Sequence, residues 1–131
     1  MTRFVVDAGA VLQLAKEQRT IPKKHTLLAP TLVRSQVLSQ LHEAVHAGKL
    51  SADTARERLR YVNGMTIRLL GDAVLRRRAW EIADRLGWPS TYDAEYVALT
   101  QLQADALITL DKKLVRAVKG LVETAPLDAL R

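Results

Sequence analysis

Cysteine is absent from this sequence of 131 residues. Its absence excludes disulfide bonds, zinc sites built on thiolates and catalysis by a cysteine nucleophile. No apolar run approaches the roughly 20 residues that a membrane-spanning helix needs. The N-terminus also lacks the long apolar stretch of a signal peptide. We therefore expect a cytoplasmic protein that does not enter a membrane.

Composition and charge narrow the class of protein. Hydrophobic residues make up 48% of the sequence, which argues against disorder. The length suits one domain with a single core, and we expect residues 1–131 to form it. Lys and Arg number 20 against 14 Asp and Glu, a formal charge of +6. Such an excess favours polyanionic partners, but it also occurs for solubility alone, so the charge leaves both interpretations open.

Short apolar runs alternate with stretches of helical periodicity along the chain. This alternation is typical of an α/β fold, in which a parallel sheet of four to five strands is flanked by helices on both faces. Strands are predicted at 3–7, 65–70, 106–110 and 121–123, and residues 26–28 allow a further short extended piece. Helices are predicted at 8–18, from 31 to about 47, from 51 to about 62, at 73–86, 93–103 and 111–118, before a tail from Pro126.

Three aspartates stand at strand ends or helix starts. Asp7 ends an apolar run, Asp93 opens an apolar helix, and Asp111 follows the run 106–110. Asp93 and Asp111 also suit the simpler role of helix N-caps. A lone buried carboxylate is costly, and parallel sheets bind ligands at this edge, so one divalent cation explains the three acids better. Oxygen ligands without His or Cys favour Mg²⁺ or Mn²⁺, ions that support phosphodiester hydrolysis.

Three segments resemble the PIN-domain family, most closely the VapC-type toxins of bacterial toxin–antitoxin pairs. They are Phe4–Leu12, Tyr92–Leu99 and Leu107–Leu114, and they follow the family's order across essentially the whole chain. The middle segment is the most specific of the three. The resemblance implies a PIN-like sandwich fold and a metal-dependent endoribonuclease that cleaves RNA.

The resemblance also assigns roles to single residues. It makes Asp7, Asp93 and Asp111 the catalytic acids that hold Mg²⁺ or Mn²⁺. Thr109 matches a hydroxyl residue often found two places before the last acid, and we group it with the substrate-binding residues. Lys112 and Lys113 directly follow Asp111, so we expect one of them to pair with a phosphate of the RNA.

Two positions depart from the family's pattern. Gln36 aligns with a catalytic glutamate, and glutamine offers a neutral oxygen without a charge. We place Gln36 in the catalytic set as a weaker ligand or a hydrogen-bond donor. Glu43 could replace the glutamate only in a displaced site, and Glu95 only if its carboxylate bends toward the metal from the first turn of its helix. Gly9 stands where the family commonly has Ser, Thr or Asn, so Asp7 lacks a side-chain contact. Both departures support an alternative, a catalytically weakened PIN-fold protein that binds RNA or a partner.

Apolar positions in the first half of the chain exceed what a small core needs. They comprise Leu12, Leu14, Leu38, Leu41 and the predicted helix 51–62. In the toxins that the chain resembles, helices in this part of the sequence pair two copies and hold the antitoxin. The resemblance therefore implies a homodimer and a groove for a cognate antitoxin.

A phosphotransfer domain also needs an aspartate at a strand end. The haloacid-dehalogenase type requires a second aspartate two residues later, where this chain has Gly9. Receiver domains require an acidic pair before the phosphorylated aspartate, and nothing upstream of Asp7 supplies it. These families therefore rank below the nuclease.

Overall fold

A parallel sheet of five strands forms the centre of the computed structural model, which describes residues 2–131. The strands are β1 (Thr2–Val6), β2 (His25–Pro30), β3 (Ile67–Leu70), β4 (Ala106–Ile108) and β5 (Thr124–Ala125). The helices are α1 (Ala8–Glu17), α2 (Leu32–His46), α3 (Ala52–Gly64), α4 (Ala73–Leu86), α5 (Tyr92–Gln103), α6 (Lys112–Ala117) and a final 3-10 helix (Leu127–Leu130). The predicted fold of four to five parallel strands is confirmed.

The strand order β3-β2-β1-β4-β5 divides the helices between the two faces of the sheet. Right-handed crossovers carry the chain from β1 through α1 to β2, and then through α2 and α3 to β3. The next crossover runs in the opposite direction, so α4 and α5 cover the other face. The packing agrees, because α1 contacts α2 and α3, while α4 packs against α5.

β4 and the C-terminal parts of β1 and β2 are apolar because both of their faces are covered. Val5 and Val6 of β1, Leu28 of β2, and Leu107 and Ile108 of β4 have no exposed surface. The strands pair so that these buried residues lie side by side. Val5 of β1 is beside Leu28 of β2 and Leu107 of β4. This packing fixes where β1 and β4 end, and therefore where the residues after them emerge.

The C-terminal segment departs from the sequence prediction. Residues 121–123 do not form the edge strand; it lies at Thr124–Ala125 and pairs with β4. The predicted tail after Pro126 is instead a 3-10 helix whose Leu127 and Leu130 are buried. These two leucines attach the end of the chain to the core.

Other boundaries shift by a few residues. β2 is a full strand of six residues, not a short piece at 26–28, and α3 extends to Gly64. Ser51 and Asp72 cap their helices by accepting hydrogen bonds from backbone N–H groups. Thr31 makes no side-chain cap hydrogen bond, although α2 starts directly after it.

The expected surplus of apolar surface is smaller and differently placed. Leu14 and Leu41 belong to the core, whereas Leu38 is 54% exposed. Helix α4 exposes Val74 and leaves Trp80 68% exposed. In the part of the chain that the structure describes, no helix has the length and apolar character needed to cross a membrane.

Candidate active site

The candidate site lies where the direction of the crossovers reverses. Connections from β1 run toward β2, and those after β4 run toward β5, so the gap between β1 and β4 is a topological switch point. Ligands of open α/β sheets bind in the crevice at such points, outside the carboxyl ends of the strands. Asp7 directly follows β1, and Thr109 directly follows β4.

Asp7 is held at this edge by hydrogen bonds to the backbone. Its Oδ1 accepts a hydrogen bond from the Ala10 N–H at 2.9 Å, so Asp7 is the N-cap of α1. Its own N–H donates to the Ile108 carbonyl at the end of β4. Burial raises the pKa of Asp7, and the charges of Asp93 and Asp111 raise it further. All three acids are therefore close enough to interact electrostatically.

The Thr109 hydroxyl links two of these acids. It is buried, it donates a hydrogen bond that lowers the pKa of Asp7, and it accepts one from the Asp111 N–H at 3.1 Å. A hydroxyl carries one proton and can accept in addition, so both bonds form at once. Thr109 thus positions Asp7 relative to Asp111, while its contact with substrate stays a prediction.

Asp111 and Asp93 reach the site from two helix starts. Asp111 Oδ1 accepts from the N–H groups of Lys113 and Leu114 at 2.9 and 3.2 Å, which confirms Asp111 as the N-cap of α6. Asp93 is not a cap, because α5 already begins at Tyr92 after Thr91. Desolvation by the surrounding protein raises the pKa of Asp93, and the charge of Asp111 adds to it.

Gln36 joins the site through a residue that the sequence reasoning did not single out. Its Oε1 accepts a hydrogen bond from the Tyr96 hydroxyl at 2.5 Å, which links α2 to α5. The Tyr96 side chain is almost fully buried. Burial raises its pKa well above the ordinary range, and the charges of Asp7, Glu95 and Asp93 add to the shift. The one signal in the sequence that points to Tyr96 is its spacing from Asp93, since residues three apart lie on the same face of a helix.

The two carboxylates considered as substitutes for the missing glutamate differ in position, since only Glu95 acts on Tyr96. Glu43 is exposed on α2, and its carboxylate accepts a hydrogen bond from Ser39 at 2.7 Å. Burial raises the pKa of the half-buried Glu95, and the nearby Arg76 lowers it. Neither carboxylate is among the charges that act on Asp7 or Asp93.

Gly9 lies on the first turn of α1, directly beside the acid. A Cβ built there meets Asp7 Oδ1 at 3.7 Å, an ordinary van der Waals distance. A side chain at this position therefore fits and touches Asp7.

The two lysines that follow Asp111, Lys112 and Lys113, are exposed on the first turn of α6.

The chemistry of these side chains fits a divalent cation. No ion pair within residues 2–131 involves Asp7, Asp93 or Asp111, so their mutual repulsion is uncompensated by Lys or Arg. Within the same residues, no three His, Asp or Glu side chains are already arranged as a ligand cluster. Asp93 is exposed, and Asp111 uses only Oδ1 for its cap. Oxygens of both acids are therefore available to a hard cation.

A second concave feature is an apolar groove on the face covered by α1, α2 and α3. It encloses about 520 Å³ and is lined mainly by side chains of α2, α3 and β3, with the Arg34 side chain alongside. The lining residues include Val33, Val37, Leu38, Leu59 and Val62.

The chain is similar to known proteins over most of its length. A family model described as the PIN domain matches residues 5–120. The Ribonuclease VapC9 of Mycobacterium tuberculosis is 33% identical over 114 residues, which cover 85% of this chain and 87% of that protein.

Two solved structures share the fold. PAE2754 from Pyrobaculum aerophilum superimposes with a TM-score of 0.74 at 23% identity, covering 98% of this chain and 92% of that one. VapBC2 from Rickettsia felis, solved bound to a DNA fragment from its promoter, gives a TM-score of 0.69 at 9% identity. That match covers 95% of this chain and 98% of the other.

Proposed function

The chain belongs to the PIN-domain family, and we propose that it is a metal-dependent endoribonuclease, the toxin of a toxin–antitoxin pair. The observation that carries the proposal is the group of three acids at the switch point. Asp7 is half-buried there, and its burial and the charges of Asp93 and Asp111 raise its pKa. The resemblance to VapC9, whose name states a ribonuclease, favours an active enzyme over a weakened binding protein.

Each residue of the site has a proposed task. Asp7, Asp93 and Asp111 hold Mg²⁺ or Mn²⁺, and Gln36 supports them as an outer or weak ligand. When bound, the cation supplies Lewis acidity that activates water and stabilises charge on the phosphate.

The remaining residues position the acids and the RNA. Thr109 holds Asp7 and Asp111 in a fixed position relative to each other through its two hydrogen bonds. Lys112 or Lys113 binds a phosphate of the RNA by charge-assisted hydrogen bonds. In the reaction, the water oxygen bonds to phosphorus while the bond from phosphorus to the leaving sugar oxygen breaks.

Cleavage of RNA by the parent and by Asp7→Asn tests the proposal. Asparagine keeps the shape and the cap acceptor but removes the charge, so we expect cleavage with Mg²⁺ or Mn²⁺ to fall at least about a hundredfold. The matched control is Asp84→Asn, which removes a carboxylate from the exposed side of α4. Equal rates for Asp7→Asn and the parent would refute the assignment of the site.

The apolar groove is the proposed binding site for an antitoxin. Its apolar lining suits a hydrophobic segment of a partner protein, and Arg34 beside it suits an acidic neighbour of that segment. Coexpression with a small DNA-binding protein encoded next to this chain's gene is the direct test. Leu38→Glu should prevent copurification, whereas Gln40→Glu, on the same helix outside the groove, should not.

A homodimer is proposed as the state of the free protein. Leu14 and Leu41 are buried and cannot contribute, so the exposed Leu38, Val74 and Trp80 supply the apolar contact surface. Sedimentation velocity of the parent and of Trp80→Lys and Leu38→Lys tells which surface pairs the two copies. A monomeric parent at micromolar concentration would contradict the dimer.

A further inference from the structure

An open cleft of about 880 Å³ lies at the edge of the sheet opposite the acids. One wall is the segment from Gln18 to Lys23, which joins α1 to β2. Another wall comprises the end of α3, the link to β3 and the start of β3. Both walls adjoin the amino ends of strands. The first three residues of β2 line the cleft, so the strand places the cleft about 10–17 Å from the acid edge of the sheet.

The charge of this cleft is of one sign. Four cationic side chains line it and no carboxylate does; they belong to Arg19, Lys23, Arg60 and Arg68. Arg19 is already engaged, because it pairs with Glu17 and Asp128. In the described part of the chain, the other three form no ion pair, and all three are exposed. Three uncompensated cations around one concave surface form a site for an anion.

The cleft is also lined by apolar and aromatic side chains that can contact an uncharged part of a ligand. Its lining includes the apolar side chains of Ile21, Leu27 and Met65 and the ring of the half-buried Tyr61. His25 contributes a buried Nδ1 that has no hydrogen-bond partner among residues 2–131. Nucleobases stack on aromatic and apolar side chains while the phosphates contact Lys and Arg, so this combination suits nucleotides better than a purely anionic peptide.

We propose that this cleft is a second, non-catalytic binding site for phosphates of single-stranded RNA. Lys23, Arg60 and Arg68 contact the phosphates, and the apolar lining with Tyr61 contacts a base. A strand bound there and at the acid edge crosses the protein, so the cleft adds affinity and helps to select long substrates over short ones. The inference rests on the proposed function only for the choice of RNA as the ligand.

Binding without cleavage separates this proposal from the proposed activity. The probe is a fluorescently labelled single-stranded RNA of about 12 nucleotides, measured by anisotropy with Asp7→Asn protein in EDTA. In this background, the triple variant Lys23→Gln, Arg60→Gln, Arg68→Gln is compared with Lys49→Gln, Arg85→Gln, Lys119→Gln. The control set removes the same charge from exposed positions that do not line the cleft.

We expect the cleft variant to bind RNA at least about tenfold more weakly, while the control set loses much less. Three phosphate contacts on a single strand also predict that the salt dependence, as the slope of log K against log salt, falls by about 2. Thermal melting of both variants should match, because all six side chains are exposed.

Several outcomes would overturn the proposal. Equal RNA affinity for the cleft variant and the control set would do so, as would parent protein that binds no RNA. Competition experiments add AMP or a poly-glutamate peptide. If either one binds the cleft while RNA does not, the occupant is a free nucleotide or an acidic peptide, and the proposal is wrong. A parent that binds RNA through the cleft but never cleaves it would refute the nuclease and leave this site intact.

Discussion

The Tyr96 hydroxyl of α5 donates a hydrogen bond to Gln36 Oε1 of α2, a residue 60 positions earlier in the sequence. Tyr96 is buried beside Asp7 and Asp93, whose charges raise its pKa. The hydroxyl therefore stays protonated and acts as a donor. The bond uses one of the two lone pairs of Gln36 Oε1 and sets which end of the amide faces Tyr96, so this contact orients the Gln36 side chain.

Gln36→Glu should strengthen binding of divalent cations. A carboxylate accepts the same hydrogen bond from Tyr96 and offers a second, charged oxygen to the site. We expect Mg²⁺ or Mn²⁺ to bind about tenfold more tightly in calorimetric titrations, with faster RNA cleavage. The control Gln40→Glu adds the same charge one turn further along α2, where no effect is expected. Unchanged metal affinity for Gln36→Glu would place Gln36 outside the metal site.

Metal-free stability should fall as the pH rises through the raised pKa of Asp7. Burial and like charges lift this pKa above its ordinary value of 3.8, so the folded protein holds the proton more tightly than the unfolded chain. The contribution of Asp7 to the free energy of unfolding is therefore largest below 3.8 and declines until the pH passes the folded pKa.

Urea denaturation in EDTA across a pH series measures this decline. Asp93 contributes in the same direction, since its pKa is raised as well. Asp7→Asn should remove the larger part of the decline and should be more stable than the parent at neutral pH. Asp84→Asn serves as the control, and a parent whose stability rises over this range relative to Asp7→Asn would contradict the expectation.

Thr109→Val should uncouple Asp7 from Asp111. Valine matches threonine in shape but leaves the Asp111 N–H without its acceptor and removes the hydrogen bond that lowers the pKa of Asp7. We expect a loss of about 1–3 kcal/mol in the free energy of unfolding and a further rise in the pKa of Asp7. Thr109→Ser keeps the hydroxyl and should restore both values. Equal titration of Asp7 in Val and Thr proteins, followed by carbon-13 NMR, would refute the link.

Gly9→Ala and Gly9→Ser should separate helix stability from support of the acid. The Cβ fits at 3.7 Å from Asp7 Oδ1, so alanine should raise the free energy of unfolding by about 0.5–1 kcal/mol through the lower entropy of the unfolded chain. Serine adds a hydroxyl that can donate to the carboxylate, and it should lower the pKa of Asp7 where alanine does not. Identical Asp7 titration in the two variants would show that position 9 does not support the acid.

The sequence reveals strands best where burial is complete on both faces. Val5, Val6, Leu107 and Ile108 form continuous apolar runs, and β1 and β4 were predicted from them. β5 has two residues, too few for any periodic signal. Leu110, predicted to end the third strand, is 49% exposed, because hydrophobic character alone does not distinguish a buried leucine from an exposed one.

The sequence predicts the three acids of the candidate site, but it does not predict the hydrogen bond between Tyr96 and Gln36. Asp7 and Asp111 follow strands whose apolar pattern is clear, so their common edge could be derived. The link between Gln36 and Tyr96 depends on how α2 and α5 pack, which no local pattern encodes. The same holds for the basic cleft, whose cations come from separate loops that only the fold brings together.

The pairing of β1 with β4 also constrains when the proposed catalytic site can form during synthesis of the chain. Asp111 follows Asp7 by 104 positions, and the central strand acquires its neighbour β4 only when residues 106–108 are available. A ribosome that is still making the first two thirds of the chain carries an incomplete sheet with a single acid at its edge. The proposed catalytic site is therefore incomplete on a nascent chain and can form only after synthesis is nearly finished.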